Sequence, residues 1–118
     1  MSTRDAEERD TLLQGTLDLL ILRSLGTGAN HGYGIASRIH QLSQDELRVE
    51  EGSLYPALYR LEEQGLIDSE WGPTENNRRA KFYKLTRKGR AAAQQEVDSW
   101  LRLSGAVTRV LRAIDLGA

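Results

Sequence analysis

Cysteine is missing from all 118 residues, and its absence removes disulfides, thiolate nucleophiles and zinc–thiolate sites together. Histidine is almost missing. His31 and His40 stand nine apart with no third imidazole, so neither a metal site nor any cofactor is expected. Long apolar runs are also lacking: Leu19 to Leu22 is the longest and is far too short to span a membrane. The first ten residues, MSTRDAEERD, are polar and charged, so no signal peptide is expected and the reading is cytoplasmic. There is no His–Asp–Ser set, no paired-carboxylate constellation and no glycine-rich phosphate loop of the usual pattern, so an enzyme is not expected. A hydrophobic content of 39% and a charged content of 28% suit one soluble domain with a modest core.

An excess of positive charge is lacking too, since the net charge is −1. That argues against a polyanion partner until its distribution is considered. Between Arg78 and Arg90 lie seven basic residues and no acid, which leaves the rest of the chain at about −8. Local field, not total charge, steers a polyanion to a surface. A solvated basic face is the plainer reading of the same run.

The chain's positive features begin with two helices. From Thr11 to Leu25, Leu12, Leu13, Leu17, Leu20, Ile21 and Leu25 follow a 3.6-residue period, and Gly26-Thr27-Gly28 ends the helix. Met1 to Asp10 has no such period and reads as an arm or a first turn. Asn30 is the expected N-cap of a second helix over His31 to Ser43, with Ile35, Ala36, Ile39 and Leu42 facing inward. Gly32 and Gly34 are costly so early in a helix, and imply that another backbone, of protein or phosphate, comes close. Tyr33, Ser37 and Arg38 would add hydroxyls and charge at that end. Leu47-Arg48-Val49, in the connection Gln44 to Glu51, alternates like a brief strand or tight turn.

Glu50 to Ile67 carries a third helix. Ser53 is the expected N-cap, Gly65 the stop, and Leu54, Leu58 and Leu61 the buried face. A cap at Ser53 would leave Pro56 harmlessly in the first turn. Tyr55, Pro56, Tyr59, Arg60 and Ser53 then gather on the outer side, suited to phosphates and base edges. Two helices joined in this way read as a helix-turn-helix.

After Gly65 the period changes to two. Ile67, Ser69 and Trp71 share a face, Gly72 to Asn77 is turn chemistry, and Ala80 to Leu85 returns as a second strand. Arg78 and Arg79 enter beside the loop. Thr86 then caps a last helix whose first turn holds Arg87, Lys88 and Gly89; cations there oppose the helix dipole and would make sense beside phosphate. Ala93, Val97, Trp100, Ser104, Val107, Leu111 and Ile114 follow spacings of four and three, an a/d seam that reads as self-association. The fold class expected is mainly α with a small β-hairpin: a winged helix-turn-helix over residues 1–90 and a dimerisation helix over 91–118.

With GTLDLLIL at Gly15 to Leu22, HGYGIASRI at His31 to Ile39, EGSLYPALYRLEEQGLI at Glu51 to Ile67 and RRAKFYKLTRKGR at Arg78 to Arg90, the chain resembles the PadR family of bacterial transcriptional regulators, in its short subgroup with a single dimerisation helix. The resemblance covers nearly the whole chain. It implies a homodimeric repressor of its own or a neighbouring promoter, bound to a palindromic operator in double-stranded DNA. Carried onto matching positions, Ser53, Tyr55, Pro56, Tyr59 and Arg60 would meet the major groove or its phosphates, Tyr33 and Ser37 the backbone, and Arg78, Arg79 and Lys81 would be the wing contacts. Some relatives sense aromatic compounds at the dimer interface, so Trp100 is either a ligand contact or plain dimer core. Dimerisation itself would rest on Ala93, Val97, Trp100, Val107, Leu111 and Ile114. The reading from another class is a winged-helix protein-interaction module that never touches DNA, favoured by the acidic remainder.

Overall fold

The computed structural model describes residues 15–114. The expected arm, Met1 to Asp10, and the apolar positions Leu12 and Leu13 lie outside the described residues.

Residues 15–24 are helical (α1) and run into a 3-10 turn at Leu25–Thr27. Leu17, Ile21, Leu22 and Leu25 lie on one side of this segment and are buried, as the 3.6-residue period requires. Helix α2 spans Gly32–Leu42 and α3 spans Glu51–Glu63. Strand β1 is the pair Asn30–His31, β2 is Ile67–Pro73 and β3 is Arg79–Leu85; all pair antiparallel in the order β1-β3-β2. Helix α4 spans Arg87–Ala113 and would reach roughly 40 Å at 1.5 Å per residue. Leu17 and Ile21 of α1, Ile35 and Ile39 of α2, and Leu54, Ala57, Leu58 and Leu61 of α3 join Ile67, Tyr83 and Ala93 in a single cluster. The helices and the base of the hairpin therefore share one core.

Several local expectations are corrected. The cap of α2 is His31, whose Nδ1 accepts from the Gly34 amide at 3.0 Å. Asn30 precedes it in β1, paired across to Tyr83, and its side chain accepts from the His31 amide at 2.9 Å. The third strand was not expected; a two-residue strand is too short for periodicity to reveal. The two early glycines are explained by protein neighbours. A Cβ on Gly34 would overlap the Asn30 side chain, and one on Gly32 would press within 3.1 Å of the Tyr55 ring. Leu42, expected inside, is 74% exposed. It is the last residue of α2, and the chain turns away beyond it through Gln44 and Asp45, both at positive φ. Leu47 to Val49 forms no strand.

The start of α3 also moves. Glu50 occupies the cap position without a side-chain cap bond, and its carbonyl accepts from the amides of Ser53 and Leu54. Ser53 is therefore inside the helix, and Pro56 stands in the second turn, where it offers no N–H to the Gly52 carbonyl. Gly52 is exposed, so water can take that carbonyl. Glu50 and Glu51 at this end complement the positive pole of the helix dipole, which favours the earlier start.

Thr86 does cap α4: its hydroxyl accepts from the Gly89 amide at 2.9 Å and donates to the Gly65 carbonyl at 2.7 Å. The helix lies so close to the end of α3 that a Cβ on Gly89 would fall 1.8 Å from the Leu66 carbonyl oxygen. The cations in this first turn have a protein explanation as well. Lys88 donates to the carbonyl of Gln64, the C-cap of α3, at 2.8 Å, where a positive charge suits the helix pole. Ala93, assigned to the dimer seam, is only 5% exposed in the protomer's own core. At its first two turns α4 is close to the hairpin and the α3 terminus, and Ala93 packs into the core there.

Candidate nucleic-acid interface

The winged core leaves one side of α2, α3 and the hairpin uncovered. Tyr33, at the second residue of α2, is 78% exposed, and Tyr59 on α3 is 64% exposed. Both are held out because the opposite faces of their helices carry the leucines and isoleucines of the core. Tyr55 is half-exposed and leans over the backbone of Gly32, so it joins the start of α2 to α3. Between α2 and the hairpin runs an open groove of about 1330 Å³. It brings together Tyr33, Ser37, Tyr55, Arg78, Arg79 and Lys81, six of the residues expected to touch DNA. Ser53, Pro56, Tyr59 and Arg60 lie outside that groove, on α3.

Register sets the wing. Pro73 pairs with Arg79, Gly72 with Ala80 and Trp71 with Lys81, so the loop at 74–78 forms the tip. The tip is closed by the Thr74 amide donating to the Arg78 carbonyl at 2.8 Å, with Asn77 at φ 61° completing the turn. Arg78 and Arg79 are exposed, and neither side chain forms an ion pair among the described residues. Trp71 lies on the face of Ile67 and Ser69, as the period of two requires, yet it is exposed. The strand has run past the end of the core by that point.

Three expected DNA contacts have protein partners. Arg60 is 3.0 Å from the Asp18 carboxylate of α1. Burial pushes the Asp18 carboxyl above the usual range, against the opposing pull of the guanidinium. Lys81 is 3.3 Å from the Glu62 carboxylate and 5.7 Å from the centre of the Tyr83 ring. Glu62 also accepts from the Ser69 hydroxyl at 2.5 Å; that bond, followed by Lys81, holds its carboxyl below the usual glutamate range despite desolvation. Tyr59 donates to Glu63 at 3.1 Å, a bond that pushes its phenol upward.

Arg38, expected to add charge at the start of α2, also lines the groove, as do Gln41 and Trp71, which sequence reasoning does not place there. A tryptophan on an alternating strand beyond the core boundary was the available signal for Trp71. The Arg38 guanidinium is partly engaged by Thr27 and the Ser24 carbonyl.

The family model described as the transcriptional regulator PadR-like family matches residues 21–95, most of the winged core. The chain belongs to that family. A transcriptional regulator from Clostridium thermocellum of solved structure is 28% identical, with a TM-score of 0.75 over 84% of this chain and 96% of that one. A PadR-like transcription factor from Bacteroides fragilis is 29% identical, with a TM-score of 0.71 over 88% of this chain and 98% of that one. A transcriptional regulator of Mycobacterium tuberculosis is 41% identical over 56 residues, which are 48% of this chain and 51% of the relative. The chain thus matches about half the length of that relative. Family and fold are those of PadR-like regulators, which act on transcription and not as enzymes. Among the described residues no helix is long and apolar enough to cross a membrane.

Proposed function

We propose that this PadR-like regulator is a homodimeric repressor that reads a palindromic operator, with α3 at the major groove and the hairpin on the flanking backbone. The observation that carries the reading is the convergence of Tyr33, Ser37, Tyr55, Arg78 and Arg79 on one open groove beside the uncovered face of α3. Hydroxyls and guanidinium groups suit phosphate oxygens, while Ser53, Pro56 and Tyr59 present small and aromatic surface to base edges.

Dimerisation is supported by the far part of α4. Trp100, Val107, Leu111 and Ile114 of the expected seam are exposed, and so are Leu103 and Val110 beside them. Trp100, Leu103, Val107, Val110 and Ile114 repeat at three and four residues, a continuous a/d stripe with no polar member. A second copy of α4 would cover it, and the two-fold axis would make the operator palindromic. In this reading the winged domain extends to about Ala93 and the dimerisation segment follows it. Trp100 is the residue at which a small aromatic effector would be sensed across the dimer.

The test is binding of the intact protein to the DNA upstream of its own gene, in competition with unrelated DNA of equal length, together with its mass in solution. Selective binding by a dimer is expected, and Leu111→Glu should give monomers with operator affinity reduced at least tenfold. A wild-type chain that is monomeric, or that does not distinguish the two DNAs, overturns the reading.

A further inference from the structure

Glu62 is an acid on the helix proposed to approach DNA, and both of its carboxylate oxygens have protein partners. One oxygen accepts from Ser69 of β2 at 2.5 Å and the other faces Lys81 of β3 at 3.3 Å. A single carboxylate therefore ties the last turn of α3 to both strands of the hairpin. Lys81 and Glu62 are each about one-third exposed on their side chains, so the contact lies at the rim of the core.

Two consequences follow from the chemistry. The bridge fixes the angle between hairpin and α3 at their base, whereas the hairpin tip has only its own turn to hold it. The bridge also offsets the charge of Lys81, which lines the groove beside Arg79. A lysine ammonium is a flexible point charge that finds phosphate without regard to sequence.

We propose that Glu62 is a specificity-setting positioning residue: it binds Ser69 and Lys81, holds the wing against the recognition helix, and withholds the Lys81 charge from the DNA backbone. This inference rests on the DNA-binding reading above. Glu62 acts through Lys81 and does not itself contact DNA.

The experiment measures binding of the full-length protein to operator and unrelated DNA across salt. In the wild type, Lys81→Gln should leave the slope of log K against log salt unchanged, because the lysine is already neutralised. Glu62→Gln keeps the side-chain volume and releases Lys81. It should raise affinity for unrelated DNA several-fold, steepen the slope by about 0.9 per protomer, and lower the ratio of operator to unrelated binding. Adding Lys81→Gln to Glu62→Gln should restore the wild-type slope, an effect that general loosening of the fold would not produce. If the wild type binds with a salt slope and Glu62→Gln leaves that slope and the ratio unmoved, the inference falls and the DNA reading survives. If the wild type binds no DNA with salt dependence, both fall. Matching thermal unfolding of the wild type and Lys81→Gln, the milder variant, keeps the comparison readable should Glu62→Gln fold poorly; a Lys81→Gln slope shallower by about 0.9 also overturns the inference.

Discussion

Arg79 and Lys88 belong to the same basic run, and the fold uses them in opposite ways. Lys88, itself exposed, donates to the carbonyl that ends α3, while Arg79 stands at the hairpin tip with no ion-pair partner among the described residues. Arg60 and Lys81 side with Lys88: one meets Asp18 and the other Glu62. Arg78 sides with Arg79. A count of cations along the sequence therefore overstates the charge that faces outward. Part of it joins α1, α3, the hairpin and α4 to one another, while the tip arginines keep an exposed charge, unpaired among the described residues.

That contrast can be broken most severely at the joint itself. Gly89→Ala would drive a methyl into the Leu66 carbonyl, which is backbone and cannot rotate away. The expected loss is about 3 kcal/mol, read from urea unfolding, against a much smaller effect at an open glycine such as Gly105. Equal tolerance at both positions would mean that α4 is not pressed onto the end of α3 as described.

A smaller effect is expected at Asp18. Asp18→Ala leaves a half-buried Arg60 without this carboxylate, yet it also removes a carboxyl that burial already disfavours. The two terms oppose each other, so the net cost should be about 1 kcal/mol by chemical denaturation. A loss several times larger would assign the pair a greater share of the joint than its exposure permits.

The pH dependence of Glu62 sharpens the same point. Its folded pKa is lowered, chiefly by the Ser69 hydroxyl, so its contribution is present above the unfolded glutamate value and is lost as pH falls through the folded one. The stability gap between wild type and Glu62→Gln should shrink as pH is lowered from about 5 to about 3. At neutral pH the gap should be under about 1 kcal/mol, because the pair is partly exposed and screened. A gap that widens on acidification has the wrong sign for this carboxylate. Smallest of all, Arg79→Ala should move unfolding by no more than about 0.5 kcal/mol, as a tip residue with no ion-pair partner requires.

Much of this was legible from the residues. The leucines of α3 and the switch to a period of two after Gly65 follow from spacing, and the Thr86 cap from residue type. On α4 the expected Trp100, Val107, Leu111 and Ile114 are exposed, but Val97 and Ser104 are only partly so. Position within the fold was harder to read. Ser53 looks like a cap because hydroxyls favour that place, but two glutamates upstream stabilise an earlier turn. Ala93 continues the heptad arithmetically, yet the first turns of α4 are already in contact with the core. Nothing local to Arg60 or Lys81 reveals that Asp18 and Glu62 stand beside them across the fold. Gly89 gave no warning either, since the close approach to Leu66 is a tertiary contact.

The claim that the hairpin tip supplies the attraction to DNA is tested most directly by the salt dependence of binding in the double variant Arg78→Ala/Arg79→Ala, with Lys88→Met, which removes the donor to the end of α3, as the control. The account predicts a slope shallower by about 1.8 per protomer for the double variant and an unchanged slope for the control. A double variant with the wild-type slope, or a control that loses as much as the tip, would contradict it.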